Sequence, residues 1–304
     1  MLLAASSVWA EESAQWLERM AQAEREQSYH GSYIYERPGV FTTQDIWRQV
    51  DQSGVHERLL QTAERYLEWV RFDGQLECAT NPVVAQDSLN SSPVPVDADQ
   101  LSQWYNIRIL GGTRIASRPV TVIAVQPRDG FRYAHEFYLD NETGLMLKSL
   151  LVDSSRELLE RFQFASISFA AADYQSGLQP SESCIEVEKA PTTSALNVVL
   201  PEPAWLPPGF VLEDQQVQRE DSGNSTISQT YSDGLASFTV FIEPLTDAGQ
   251  ADDVQAQLGP TVAVSRRLMS EDEILLATVV GEIPPRSAER IAESLGESAV
   301  GITR

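Results

Sequence analysis

Apolar and polar positions change period along the chain, and each change marks an element. Near the start, Trp16, Leu17, Met20 and Ala21 fall on one side of a 3.6-residue repeat. Glu18, Arg19, Gln22 and Arg25 fall on the other, which predicts an amphipathic helix. From Ser32 onward the period drops to two. Aromatic and β-branched runs at 32–37, 41–50, 55–61, 66–72 and 75–80 alternate with turn signals such as Pro38-Gly39, Ser53-Gly54 and Asp73-Gly74. This is the pattern of an antiparallel meander. Asp73-Gly74 is its strongest hairpin signal, because both central positions of a two-residue type I′ turn require positive φ.

Residues 81–100 hold three prolines among small polar residues and predict a mobile loop. A short helix at 101–105 then leads into strands at 107–110, 120–125, 131–139, 145–153 and 157–169. In the third of these Phe131, Tyr133, Phe137 and Leu139 share a face, with His135 as its polar exception. About ten sequential strands with one apolar face curl into a barrel or half-barrel. The composition shifts to Ser, Pro, Gln and Glu between Tyr174 and Pro203, as in a linker. A smaller unit follows, with strands expected at 211–219, 226–231, 236–243, 261–269 and 274–283. Behind Pro284-Pro285, Ala288, Ile291, Ala292 and Leu295 recur at helical spacing, so one helix is expected on a small sheet.

A length of 304 residues suits two domains, and 6 Trp, 9 Tyr and 10 Phe exclude a wholly disordered chain. The net charge is −22. It is spread over both parts, with 28 acidic and 16 basic residues up to position 204 and 16 and 6 beyond it. Such a surface repels a polyanion, so nucleic acid is not an expected partner. No run of about 20 apolar residues spans a membrane. Residues 1–10, ending in Val8-Trp9-Ala10 before Glu11 and Glu12, look like the back part of an export leader without its basic start. Cys78 and Cys184 would be expected to close a disulfide in an oxidising compartment, the alternative being two unrelated buried thiols.

Three scattered histidines (His30, His56 and His135) and the absence of GxSxG, HExxH, P-loop and GxGxxG patterns leave no catalytic, metal or cofactor site to name. Two sets of residues do stand out. Arg108, Arg114, Arg118, Arg128 and Arg132 face a single acid, Asp129, in an otherwise acidic chain. They read either as partners for surplus carboxylates or as an anion-binding rim. Tyr33, Tyr35, Trp47, Trp69, Tyr133, Phe137, Phe162 and Phe164 lie on expected strands. They read either as a filled core or as the lining of a groove for acyl chains.

Several stretches carry a family resemblance. They include Gly31-Ser32-Tyr33-Ile34-Tyr35-Glu36-Arg37, Asp45-Ile46-Trp47, Val70-Arg71-Phe72-Asp73-Gly74 and Leu139-Asp140-Asn141-Glu142-Thr143-Gly144-Leu145. Leu159-Glu160-Arg161-Phe162-Gln163-Phe164, Trp205-Leu206-Pro207-Pro208-Gly209-Phe210 and Phe241-Ile242-Glu243-Pro244-Leu245 belong to the same set. On these residues the chain resembles the MucB/RseB family of periplasmic regulators of envelope stress, from about Trp16 to Leu295.

The resemblance implies an α+β fold: a large N-terminal unclosed antiparallel β-barrel with helices, like the lipoprotein carriers LolA and LolB, and a smaller C-terminal α/β domain. The expected boundaries are a leader remnant at 1–10, a lipid-sensing domain at 11–173, a linker at 174–204 and a partner-binding domain at 205–304. It also implies a non-enzymatic function. The protein would bind the periplasmic domain of a membrane-spanning anti-sigma factor, shield it from a protease, and release it when lipid or a lipopolysaccharide fragment binds. Partner contacts are then expected around Trp205, Leu206, Phe210, Phe238 and Phe241, lipid in the aromatic groove, and lipid phosphates on the arginine rim. A homo-oligomer stays open. A periplasmic lipid or lipoprotein carrier is the alternative, though a carrier has no need of the second domain.

Overall fold

The computed structural model describes residues 5–62, 66–81, 98–187, 202–219, 225–245, 254–269 and 274–301. Residues 1–4 of the expected leader, most of the expected 81–100 loop and residues 188–201 of the expected linker lie outside them. The chain divides into two compact units.

The first unit is built on an open sheet of eleven strands in the order β11-β5-β4-β3-β2-β1-β10-β9-β8-β7-β6. Its meander comprises β1 (Tyr29–Arg37), β2 (Val40–Asp51), β3 (Gly54–Gln61), β4 (Leu67–Phe72) and β5 (Gln75–Ala79). A second run follows, with β6 (Tyr105–Ile115), β7 (Arg118–Pro127), β8 (Ala134–Asp140), β9 (Met146–Val152) and β10 (Leu158–Ser168). Strand β1 pairs antiparallel with both β2 and β10, which joins the two runs. The β4–β5 turn adopts φ 48° at Asp73 and 76° at Gly74, as the hairpin signal required. The two end strands, β11 and β6, do not pair, so the sheet is unclosed.

Helix α1 (Ala5–Glu26) lies on one face and buries Leu17, Met20 and Ala23, at helical spacing. Residues 5–10 of the expected leader are part of this helix. Its docking is fixed by a close approach. Gly144, at φ +81°, stands where a Cβ would lie 2.8 Å from the Arg19 carbonyl oxygen, and Arg19 donates to the Asn141 carbonyl at 2.9 Å. A short helix, α2 (Ala98–Trp104), precedes β6, and α3 (Ala171–Gln175) follows β10.

Three expectations are corrected here. Strand β6 continues to Ile115, past Gly111-Gly112, which reads as a break in sequence. Strand β8 begins only at Ala134, because residues 127–133 pack within the second unit. Residues 174–187 are no free linker: they lie on the large sheet, and β11 (Ile185–Glu186) pairs with β5. Among the described residues the first unit reaches Val187.

The second unit carries a six-stranded sheet in the order β12-β13-β14-β17-β16-β15. Its strands are β12 (Val211–Arg219), β13 (Ser225–Ser232), β14 (Ser237–Pro244), β15 (Gln255–Leu258), β16 (Thr261–Met269) and β17 (Ile274–Gly281), followed by helix α4 (Pro285–Gly301). Phe238, Val240 and Ile242 alternate into the core, where they join Val262, Val264, Ala277 and Val279 from the sheet and Ala288, Ile291, Ala292 and Leu295 from α4. The opposite face is polar, with hydroxyl pairs Thr230–Thr239 and Ser265–Thr278 at 3.0 Å.

Candidate functional site

Period-two alternation sends the aromatic candidates to different places. Tyr33, Trp69 and Phe164 are buried in the core beneath α1, alongside Tyr29, Ile46, Leu59 and Leu147, with Tyr35 and Phe162 half-buried against them. Phe137 is also buried. Tyr33 stacks at a tilt on Phe162 at 4.8 Å, and Phe162 meets Phe164 edge-on at 5.2 Å. This face is therefore occupied by its own side chains and by α1. Trp47 points to the other face, where it stacks on His30 at 4.8 Å and 13° and meets Gly177. Tyr133 belongs to the second unit, its hydroxyl pushed up to about 12 by burial and by Asp153 and Glu282.

Charged residues share the aromatic face. Register places Arg48 across from Glu57 and Glu57 across from Arg71, in line with the apolar row Ile46–Leu59–Trp69. The Arg48 guanidinium donates to Glu57 at 2.6 Å and to two carbonyls at the end of α1, those of Glu24 and Gln27 (3.3 Å). A cation on helix-end carbonyls satisfies acceptors that the helix itself leaves open. Beside it, Glu24 Oε2 is shielded from solvent and lacks a hydrogen-bond partner among the described residues. Burial raises the Glu24 carboxyl, opposed by Arg48 and reinforced by Glu57.

The face bearing Trp47 is crossed by a strap, residues 176–187. Arg58 donates to the Gly177 carbonyl at 2.8 Å and to Glu68 at 2.7 Å. Both the amide (2.9 Å) and the hydroxyl of Ser181 donate to the Glu68 carboxylate. Burial alone would raise that carboxyl, but these hydrogen bonds outweigh it and hold Glu68 below its ordinary value. Farther along, Cys184 is bonded to Cys78, and the Val187 amide donates to the Glu77 carbonyl at 2.9 Å. The disulfide thus closes within the first unit. Between the anchors the strap arches over a cleft of about 640 Å³, floored by Val70 and His56 and walled by Leu178, Pro180 and Val187.

The five arginines do not form one rim. Arg108 and Arg114 are exposed on β6, where Arg108 donates to Gln126 at 2.8 Å and Arg114 to the Ser117 carbonyl. Arg118 forks onto buried Asp140 at 2.6 and 3.1 Å and reaches Glu142 at 2.7 Å. Arg128 is exposed, and Arg132 is buried in the second unit. There Arg132 pairs with Asp129 and Asp233, donates to the Pro208 carbonyl and lies 5.0 Å from the Phe210 ring.

Among the partner-binding candidates, Phe210 and Phe238 are core residues of the second unit and offer no surface. Trp205 and Leu206 are half-buried against that core. Trp205 is covered by Arg290 at 3.9 Å and by the edge of Phe131 at 5.1 Å. Phe241 is half-buried on the polar face, opposite Ser228 and Thr278. Among the described residues no group of three or more His, Cys, Asp or Glu is placed to hold a metal ion.

Both units match family models. The model of the MucB/RseB N-terminal domain covers residues 12–192, and that of the MucB/RseB C-terminal domain covers 202–296. The chain belongs to the MucB/RseB family. Over 303 residues it is 42% identical to the sigma factor AlgU regulatory protein MucB of Pseudomonas aeruginosa, covering 98% of this chain and 95% of that protein. It is 34% identical over 218 residues to the sigma-E factor regulatory protein RseB of Escherichia coli (strain K12), covering 69% of this chain and 64% of RseB. A solved complex structure of Pseudomonas aeruginosa MucA/MucB contains a chain that superposes with a TM-score of 0.77 at 42% identity, covering 92% of this chain and 97% of that one. The first MucB/RseB match takes in the whole strap.

Sequence reasoning missed the inward charges Arg48, Glu57 and Arg71 and the anchors Glu68 and Ser181. The first three were within reach: strand parity already aligned them with Ile46, Leu59 and Trp69. The strap anchors were not, because Glu68 and Ser181 are 113 residues apart and neither belongs to a local pattern.

Proposed function

We propose that this MucB/RseB family member is a periplasmic, non-enzymatic regulator. It binds the periplasmic domain of a membrane-spanning anti-sigma factor and keeps that domain from a regulatory protease. The observation that supports this reading is the likeness to the chain in the MucA/MucB complex, which extends over both units rather than over one. A carrier would need only the first.

Lipid or a lipopolysaccharide fragment acts as the releasing ligand. Because Ala23 of α1 packs into the aromatic cluster, an acyl chain that enters among Tyr33, Phe162 and Phe164 competes with α1 there. Release then requires that lipid favour the arrangement with α1 displaced, and that the partner favour the one with α1 seated.

The test is a pulldown of the anti-sigma factor's periplasmic domain with the full chain, alongside digestion of that domain by a periplasmic protease. Retention and protection are expected, both diminished by added lipopolysaccharide. A chain that transfers lipid between vesicles but neither retains nor protects the domain is a carrier, and the regulator reading fails.

A further inference from the structure

The cleft beneath the strap is a half-open space of ligand size, and the regulatory reading makes no use of it. Its shape follows from how the strap is held. Gly177 and Ser181 are fastened on one side, through Arg58 and Glu68. Cys184 and Val187 are fastened on the other, through the disulfide and β5. Leu178, Gln179 and Pro180 span the first interval, with the cleft of about 640 Å³ beneath them. That volume falls in the range of sites that enclose small ligands or short peptide segments, roughly 300–1,000 Å³.

The lining selects among occupants. Val70, Leu178, Pro180 and Val187 give apolar contact, while the Gln49 and Gln179 amides offer both donors and acceptors suited to a peptide backbone. Two exposed carboxylates, Glu77 and Glu186, stand at the rim. Glu57 also borders the cleft, but its side chain points to the opposite face of the sheet, where Arg48 holds it. No lysine or arginine lines the cleft among the described residues. In a chain of net charge −22 the surrounding field adds to this local preference for a cation.

We infer that the cleft between the strap and strands β2–β5 is a binding site for a short peptide segment carrying lysine or arginine between aliphatic residues. The aliphatic side chains sit on Val70 and Leu178, and the basic groups reach Glu77 and Glu186. The site stands apart from the anti-sigma-factor reading, and neither depends on the other.

The test titrates the full chain with fluorescein-labelled Leu-Lys-Leu-Arg-Leu amide, followed by anisotropy. Leu-Glu-Leu-Glu-Leu amide and spermine serve as comparison probes, and a thermal melt of each variant reports folding. Saturable binding of the basic peptide is expected, with neither comparison probe competing at equal concentration. The double variant Glu77→Lys/Glu186→Lys, both exposed positions, is expected to weaken it by about tenfold. Leu178→Arg, which supplies a cation to the cleft from within, is expected to abolish it. Equal affinity of the wild type and both folded variants would overturn the site. Spermine binding as tightly as the peptide would overturn its peptide character.

Discussion

Arg132 and Asp233 form an ion pair 101 residues apart in sequence, with both side chains fully withdrawn from solvent. Asp233 also caps its own turn, accepting from the amides of Leu235 at 3.0 Å and Ala236 at 2.8 Å. Removing one partner leaves the other as an uncompensated buried charge, whereas replacing both with apolar residues need not destabilise. Arg132→Ala is therefore expected to lower stability by about 3–5 kcal/mol in urea unfolding. A loss within the error of the measurement would mean that water reaches Asp233.

The Cys78–Cys184 bond closes a loop with a sequence separation of 106 residues. In the chain-entropy account so long a loop removes ~5 kcal/mol of disorder from the unfolded state. The double variant Cys78→Ser/Cys184→Ser should melt well below the wild type under non-reducing conditions, and a reductant should move the wild type toward the variant. An unchanged melting temperature would leave the bond without a stabilising role.

Gly144 holds a positive φ directly against the backbone of α1. An alanine there meets both a disfavoured conformation and the Arg19 carbonyl, at a cost of about 1–3 kcal/mol. If lipid enters by displacing α1, Gly144→Ala should also release the anti-sigma factor at a lower lipid concentration than the wild type. Destabilisation without any change in the release midpoint would separate α1 from the lipid response.

Two carboxyls give opposite responses to pH. Glu24 is raised above its ordinary value of 4.5 by burial, so its share of stability is present below that value and is lost as pH rises through the folded pKa. Glu24→Gln does not titrate. The variant's melting temperature relative to wild type should therefore increase between pH 4 and pH 8. Glu68 is lowered, so the strap's anchorage is present above 4.5 and is lost as pH falls below it. Glu68→Gln should accordingly cost most near neutrality and least in acid. A pH-independent difference in either variant would contradict the assignment.

Much of the fold could be read from local pattern. The strands at 211–219 and 261–269 coincide with β12 and β16, and the Asp73-Gly74 turn lies where it was expected. Two readings differ from the structure. Gly111-Gly112 reads as a break, yet ladder pairing carries β6 through it to Ile115. Phe131–Tyr133 reads as strand, yet Phe131 meets Trp205, and Arg132 meets Asp233. In the first case pairing with the adjacent strand β7 outweighed local preference, and in the second a partner distant in sequence did.

Sequence alone determined the two units, the strand periodicity, the acidic surface and the family, because each depends on residue order or composition. Tertiary structure alone decided that α1 packs against the aromatic cluster, that Arg132 is a buried ion-pair partner and that 176–187 is a strap over a cleft. A strand's alternation says which residues share a face, but not what covers that face. The cover comes from segments that can lie more than a hundred residues away, whose burial and hydrogen bonds exist only once the chain has closed on itself.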